Sequence, residues 1–409
     1  MKPGSIASTA TVLAAASAAL FACADDGAPA ATPDADGGIV IPAVDGSADA
    51  ADVDARAPAD AAPDADAGPR ICSDDGFCHT VVPEGQSLRG VWGDGEGIVW
   101  AVSNEGSILR WDGASWSIHT TFETALSAIW GSGPTDVWVA GAAGLFHGAG
   151  PSSDALVFTP VADLPGDATI PIRAIWGTGP NDVWAVGGAE SFDLFPPRQR
   201  GRVLHRGAPE GSTTGFRLDE DLSSREISFR FVWGSPTSGT WLQGQQRRAS
   251  GSPDSRVLRR EPGADAWTVM DLPEDTDAQA RGYASEMIAA NLSSDTSVWL
   301  RGRTGFPTEA LWHGASADGG KTFTWSVHTP NDWSRSMLAF WGSSANDTWA
   351  VGRLGLVTHW DGSAWTQARI RVTSAPVAST FWAIWAKNDD DLWVVGDEIA
   401  LHKTNTGKP

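Results

Sequence analysis

The sequence predicts an all-β fold, a seven-bladed β-propeller with four-stranded blades. All 22 tryptophans lie between Trp92 and Trp393, which is typical of one structural unit used repeatedly. Six pairs of tryptophans share a spacing of eight residues, and each pair lies among short β-prone segments separated by turn residues. The pairs are Trp92 and Trp100, Trp130 and Trp138, Trp176 and Trp184, Trp233 and Trp241, Trp341 and Trp349, and Trp385 and Trp393.

The count of seven includes one irregular unit, around Ile288 to Trp299, which keeps the second tryptophan and lacks the first. Runs such as Val-Trp-Ala-Val in the regular units are apolar on both faces. Sheets that are covered on both sides have this pattern, and stacked propeller blades are sheets of that kind.

The two ends of the repeat region predict how the ring closes. The seventh unit has three strand-like segments, the last of them Ile399 to His402, and no fourth segment follows. Residues 77–82 form a strand-like segment before the first unit and have no unit of their own. We therefore expect this N-terminal strand to complete the last blade.

Residues 1–23 resemble the signal peptide of bacterial lipoproteins. An Ala-rich apolar run from Ile6 to Phe21 is short for a membrane span and suits a signal-peptide core. It ends in Leu20-Phe21-Ala22-Cys23, which resembles a lipobox, and the resemblance implies cleavage before Cys23 and acylation of its sulfur. Ordinary cleavage near an Ala-x-Ala site is the alternative. The lipobox reading predicts an exported, lipid-anchored protein at the outer membrane or cell surface.

Residues 24–70 are predicted to be a disordered tether. They contain 11 Asp and only two arginines, with Ala, Pro and Gly making up most of the remainder. Such a segment has too little apolar surface to offset the entropy of ordering the chain. The folded domain, residues 71–409, keeps a formal charge of −13 out of the total of −21. This acidic balance argues against nucleic acid as a partner.

Cys72 and Cys78 form an even pair on a short loop, which predicts a disulfide in an oxidising compartment. A metal site is the alternative, but only His79 lies nearby as a further ligand. We expect no bound metal and no cofactor.

The stretch Ser316 to Phe323 (Ser-Ala-Asp-Gly-Gly-Lys-Thr-Phe) resembles the Asp box of sialidase-type (BNR) repeats. Residues 111–116 and 360–365 look like degenerate copies. The resemblance implies a structural turn between the third and fourth strands, in which Asp318 fastens the local backbone and takes no part in catalysis. The repeat pattern also resembles the non-enzymatic seven-bladed propellers of photosystem-assembly-factor type.

Catalytic and metal sites have weak support in the sequence. A sialidase would need a tyrosine nucleophile with a glutamate partner, and the only tyrosine is Tyr283, three residues before Glu286. Five histidines recur at equivalent third-strand ends, one to a blade, where a structural role is expected because equivalent positions on a ring lie far apart. They are His147, His205, His313, His359 and His402.

Three long insertions, 189–202, 244–256 and 301–309, fall in the second-to-third strand connections of three consecutive blades, which share one face of a propeller. Arginines in these connections could bind a carboxylate or phosphate through forked hydrogen bonds. The alternative is that they pair with local acids or solvate the loops. The arginines are Arg198, Arg200, Arg202, Arg247, Arg248, Arg301 and Arg303.

These features predict a tethered, non-enzymatic binding or scaffold protein of the cell envelope. The expected partner is a protein or an anionic polysaccharide, held on the face of blades 3 to 5. Two alternatives stay open: a carbohydrate-active hydrolase of BNR type, and a structural protein without a ligand.

Overall fold

The computed structural model describes residues 71–191, 198–207, 215–274, 283–304, 309–328 and 337–406. These residues form seven antiparallel sheets of four strands each, arranged as a β-propeller. The helical elements in these ranges are a 3-10 turn at Ser153–Ala155 and one short α-helix, α1 (Glu220–Ser224), which begins where the Asp219 carboxylate accepts a hydrogen bond from the Leu222 amide. No helix in the described part of the chain is long and apolar enough to cross a membrane.

The strands follow one another in the chain as β1 (Phe77–Thr80), β2 (Leu88–Gly93), β3 (Val99–Ser103), β4 (Ser107–Trp111), β5 (Trp116–Thr121), β6 (Leu126–Gly133), β7 (Asp136–Gly141), β8 (Gly144–Ala149), β9 (Val157–Pro160), β10 (Ile172–Gly179), β11 (Asp182–Ser191), β12 (Arg198–Arg206), β13 (Phe216–Leu218), β14 (Ser228–Ser235), β15 (Gly239–Arg247), β16 (Pro253–Arg260), β17 (Thr268–Val269), β18 (Glu286–Ser294), β19 (Ser297–Arg303), β20 (Glu309–Ala315), β21 (Thr324–His328), β22 (Met337–Ser344), β23 (Asp347–Gly352), β24 (Val357–Trp360), β25 (Trp365–Gln367), β26 (Phe381–Asn388), β27 (Asp391–Gly396) and β28 (Ile399–Thr404). Blades 1 to 6 take four consecutive strands each, from β2 to β25, and blade 7 consists of β26, β27, β28 and β1.

The ring closes as the sequence predicts. Strand β1 pairs antiparallel with β28, with Phe77 opposite Lys403 and Thr80 opposite Ala400. Phe77 is fully buried and its ring meets that of Trp349 in blade 6, so the closing strand also joins two blades. Cys72 and Cys78 form a disulfide just before and within this strand.

The first strand of each blade lies at the centre of the ring. Neighbouring first strands contact one another in sequence, and β26 of blade 7 contacts β2 of blade 1. The two tryptophans of each pair are cross-strand partners in the first and second strands. In the irregular blade 5, Asn291 takes the place of the first tryptophan opposite Trp299.

The dipeptide Trp-Gly of the repeat joins neighbouring blades. A Cβ atom on Gly131 of blade 2 would lie 2.6 Å from the ring of Trp92 in blade 1. Glycine occurs there because the preceding blade's tryptophan packs directly on the backbone. The same contact recurs where Trp385 meets Gly93, Trp130 meets Gly177 and Trp176 meets Gly234. At the junction into blade 5 the glycine position is Leu292, which packs in one cluster with Trp233.

Residues 1–70 lie outside the described residues. The predicted signal peptide (1–23), the predicted tether (24–70) and the lipidation of Cys23 therefore stay predictions.

Closure by β1 predicts the effect of truncating Phe77. Phe77→Ala leaves a cavity between blades 6 and 7, so we expect the free energy of unfolding to fall by about 3–5 kcal/mol in urea denaturation. Val81→Ala is the control, since Val81 is 87% exposed and its truncation should change stability by less than about 0.5 kcal/mol. Equal stability of the two variants would contradict this account of closure.

Candidate functional site

Each blade has a β-bulge near the start of its first strand, where one residue has no partner on the second strand. A bulge redirects the side chain of the extra residue, and bulges are common beside functional sites. All seven bulge residues line one cavity of about 690 Å³ at the centre of the ring. They are Arg89, Ser127, Arg173, Arg230, Ile288, Leu338 and Trp382.

The cavity opens on the face that carries the fourth-to-first and second-to-third connections. The bulges lie at the starts of the first strands, just after the fourth-to-first connections. Asn104 and Arg353, in the second-to-third connections of blades 1 and 6, also line the cavity, as does Arg303 at the end of the second strand of blade 5. This is the face on which the sequence places the insertions, although parts of two insertions, 192–197 and 305–308, lie outside the described residues.

The cavity is basic in an acidic protein. Two carboxylates, Glu286 and Glu309, line it together with five arginines. The formal charge of the whole chain is −21. A recessed cluster of one sign focuses the field of its charges and attracts ions of the opposite sign. The lining arginines are Arg89, Arg173, Arg230, Arg303 and Arg353.

Arg173 and Arg353 are the two lining arginines that form no ion pair with a carboxylate among the described residues, whereas Arg89, Arg230 and Arg303 each have one. The Arg173 Nε donates to the Gly188 carbonyl at 3.0 Å. Desolvation and the nearby Arg230 guanidinium lower the pKa of Arg173, although the group stays charged at neutral pH. Glu286 instead forms ion pairs with Arg230 and Arg303, with N–O distances of 3.2 and 2.9 Å.

A side pocket of about 290 Å³ extends the cavity toward blades 3 and 4. It shares Arg173, Arg230 and Glu286 with the central cavity. Arg247, which pairs with Glu190, also lines it. The two pockets therefore meet at Arg173, Arg230 and Glu286, which line both of them.

Two of the seven arginines singled out from the sequence are buried and bound within the protein. Arg202 is 3% exposed and donates to the carbonyls of Pro165 and Leu164 at 2.8 and 2.9 Å. Arg301 is 1% exposed and pairs with Glu309.

Four others form ion pairs with nearby acids at the surface. Arg198 pairs with Glu226 at 3.4 Å, and Arg200 with Asp167 at 2.9 Å. Arg247 pairs with Glu190, and Arg248 pairs with Asp254 at 3.2 Å. Arg248 also covers the ring of Tyr283.

The structure brings only part of the predicted set to the cavity. Of the seven arginines, Arg303 lines the central cavity and Arg247 lines the side pocket. A ligand-binding role for the set as a whole stays a prediction.

Sequence reasoning missed Arg89, Arg173, Arg230 and Arg353. Arg89, Arg173 and Arg230 each lie three residues before the first tryptophan of their unit, and the variation at this position was the signal in the sequence. That position varies between Arg, Ser, Ile, Leu and Trp, whereas the next one is Gly or Ala in every unit except at Phe231. A position that varies inside a regular repeat indicates a side chain outside the repeated packing.

The recurrent histidines belong to networks within their own blades. In blade 3 the ring of His205 stacks on Trp184 at 3.8 Å and bonds to the Asp182 carboxylate at 2.8 Å. The hydrogen bond from His205 lowers the pKa of Asp182. Equivalent Asp contacts hold His147, His359 and His402. No group of three or more metal-ligating side chains occurs among residues with described positions.

The third-to-fourth strand turns are fastened by aspartates. Asp318 accepts hydrogen bonds from the amides of Lys321 and Thr322 at 3.1 and 2.9 Å, and from the Thr322 hydroxyl. Asp112 and Asp361 accept amide hydrogen bonds in the equivalent turns of blades 1 and 6. This is the local role that the Asp-box resemblance implies, while membership in the BNR family stays a prediction.

The residues that a hydrolase would use also form contacts within the protein. Tyr283 lies under the Arg248 guanidinium, and Glu286 accepts hydrogen bonds from Arg230 and Arg303. Glu309, the other carboxylate of the cavity, pairs with Arg301. The hydrolase reading stays an untested alternative.

No protein-family model matches the chain, and no curated protein sequence matches it. Solved structures with a similar fold include YCF48 bound to D1 peptide, with a TM-score of 0.54 and 15% identity over 81% of this chain and 97% of that one. YCF48 from Cyanidioschyzon merolae has a TM-score of 0.55 and 16% identity over 81% of this chain and 99% of that one. Virginiamycin B lyase from Staphylococcus aureus has a TM-score of 0.55 and 13% identity over 80% and 98%. Identities this low show a shared fold alone.

The histidine of blade 5 predicts a pH dependence of stability. His313 bonds to Ser297 in place of an aspartate, and burial, together with His328, lowers its pKa from 6.5 to about 4. The folded protein therefore binds this proton more weakly than the unfolded chain, and His313 makes stability fall as pH drops from about 6.5 toward 4. We expect His313→Gln to flatten the curve of unfolding free energy against pH in this window. Parallel curves for the variant and the wild type would contradict the assignment.

Proposed function

We propose that this protein is a non-enzymatic binding platform that holds an acidic segment of a partner protein in the central cavity. The observation that carries the proposal is the environment of Arg173. Its guanidinium has no carboxylate partner in the described chain and lines both pockets together with Arg230, so an anionic ligand would offset two neighbouring positive charges.

The arginines suit carboxylates for a geometric reason as well. A guanidinium presents parallel N–H donors that match the two oxygens of a carboxylate, and such charge-assisted hydrogen bonds are stronger than neutral ones. The cavity is recessed, so water screens these charges less than it would at an open surface. Arg247 in the side pocket extends the basic surface beyond Arg230.

A protein segment is favoured over a polysaccharide by two considerations. The cavity wall includes Phe231, Leu338 and Trp382, which suit amino-acid side chains. In addition, YCF48, which has a similar fold, has a solved structure in which it is bound to D1 peptide. The predicted signal peptide and lipidated Cys23 would put the platform at the outer membrane or cell surface.

The first test compares full-length protein with a variant carrying both Arg173→Ser and Arg230→Ser. We expect an Asp/Glu-rich peptide, measured by calorimetry at low salt, to bind the variant at least about tenfold more weakly because two charge-assisted contacts are lost. Affinity for the wild type should fall with added salt. Arg225→Ser is the control, since Arg225 pairs with Asp221 beside α1 and lines neither pocket.

Equal binding by the double variant and the control would overturn the cavity as the site. An oligogalacturonate probe is run in parallel. Binding of that probe with no binding of the peptide would overturn the choice of a protein segment.

Neutralising Glu286 should have the opposite effect. Glu286 compensates Arg230 and Arg303, so Glu286→Gln leaves more positive charge facing the ligand. We expect the same acidic peptide to bind a few-fold more tightly, with the gain disappearing at high salt. Weaker binding of the peptide to Glu286→Gln would indicate that this carboxylate itself contacts the ligand.

A further inference from the structure

The seven bulge residues are sorted by chemistry around the ring. Blades 1 to 4 contribute three arginines and a serine, whereas blades 5 to 7 contribute three large apolar side chains. The polar set is Arg89, Ser127, Arg173 and Arg230, and the apolar set is Ile288, Leu338 and Trp382. At the bulge positions, the half of the ring formed by blades 1 to 4 is therefore mainly cationic and the half formed by blades 5 to 7 is apolar. The paired or exposed charges of Arg303, Arg353, Glu286 and Glu309 line the cavity beside the apolar half.

The apolar half is open to the cavity. Ile288, Leu338 and Trp382 are each partly exposed, unlike the fully buried residues that precede them on two of these strands, Met287 and Phe381. The Trp382 ring is held in place because its Nε1 donates to Asp397 at 2.8 Å and the Arg89 guanidinium covers it at 4.0 Å. When a matching apolar group covers an apolar wall that faces water, the free energy of the complex falls because less apolar surface is hydrated.

We infer that the occupant is a peptide segment in which an acidic side chain and a large apolar side chain lie within two or three residues of each other. The acid faces Arg173 and Arg230, and the apolar group covers Ile288 and Leu338. This inference rests on the proposed function and deepens it. The cavity has the volume of a site for a ligand of a few residues.

A peptide fits better than a fatty acid, which also combines a carboxylate with an apolar group. The carboxylates of Glu286 and Glu309 line the cavity between its polar and apolar parts. Both carboxylates already pair with arginines, and polar groups of a peptide can replace the water around them, whereas a hydrocarbon chain would remove that water and replace it with nothing polar.

The experiment measures two peptides against the full-length protein: acetyl-Gly-Glu-Ser-Leu-Gly-amide and the same peptide with Ser in place of Leu. We expect the leucine peptide to bind about tenfold more tightly. Leu338→Ser and, separately, Ile288→Ser should remove this preference and leave the affinity for the serine peptide unchanged. Ile118→Ser is the matched control, because Ile118 is 46% exposed on the outer strand of blade 1.

The outcomes separate the two proposals. Equal affinity of the wild type for both peptides would overturn the inference, and the proposed function would stand. If Leu338→Ser lost binding of both peptides and Arg173→Ser lost neither, this would overturn the assignment of the acidic side chain to the arginines and of the apolar side chain to Leu338. No binding of either peptide would count against the proposed function itself. Tighter binding of dodecanoate than of the leucine peptide, lost in Leu338→Ser, would overturn the choice of a peptide.

Discussion

The packing of a tryptophan from one blade on the backbone of the next fixes how the blades stack. Trp92 lies against Gly131, and a Cβ at that position would enter the ring. The contact therefore needs both partners: a large flat apolar group in one blade and a residue without a side chain in the next. Repeating it sets the spacing and rotation between blades, and from these follow the central position of the first strands and the cavity that they surround.

The bulge residues make the centre of the ring chemically different from one blade to the next. Four of the seven blade junctions use the same tryptophan–glycine contact, so the residues that form it recur along the chain. A bulge residue takes no part in that contact, since its side chain points into the cavity instead of between sheets. Arg173 and Leu338 occupy equivalent positions in their blades and yet present opposite chemistry to the same space. The chemistry that faces the cavity can thus differ between blades while the packing between sheets is kept.

Most of the arginines outside the bulges that were singled out from the sequence are neutralised by ion pairs with nearby acids. Arg200 and Arg248 have carboxylate partners within 3.2 Å, and Arg202 is held by backbone carbonyls. In a chain of net charge −21 such pairing is the ordinary fate of a guanidinium. The central cavity keeps a net positive charge because five arginines line it with only two carboxylates, and Arg173 pairs with neither.

The sequence by itself determined the architecture, because a tryptophan spacing found in six units indicates one sheet used repeatedly, and a last unit that is one strand short is matched by an unassigned strand before the first unit. It predicted blade number, closure by residues near Phe77 and the structural role of His205, because each of these follows from comparing the repeat units with one another. It could not locate the site. Arg89, Arg173, Arg230 and Arg353 are far apart in the chain and belong to four different blades, and they meet only because the ring closes. Equally, the sequence could not reveal that Arg301 is buried on Glu309, since that depends on how second and third strands pair. Tertiary structure decided which cations face a common space, and no local pattern carries that information.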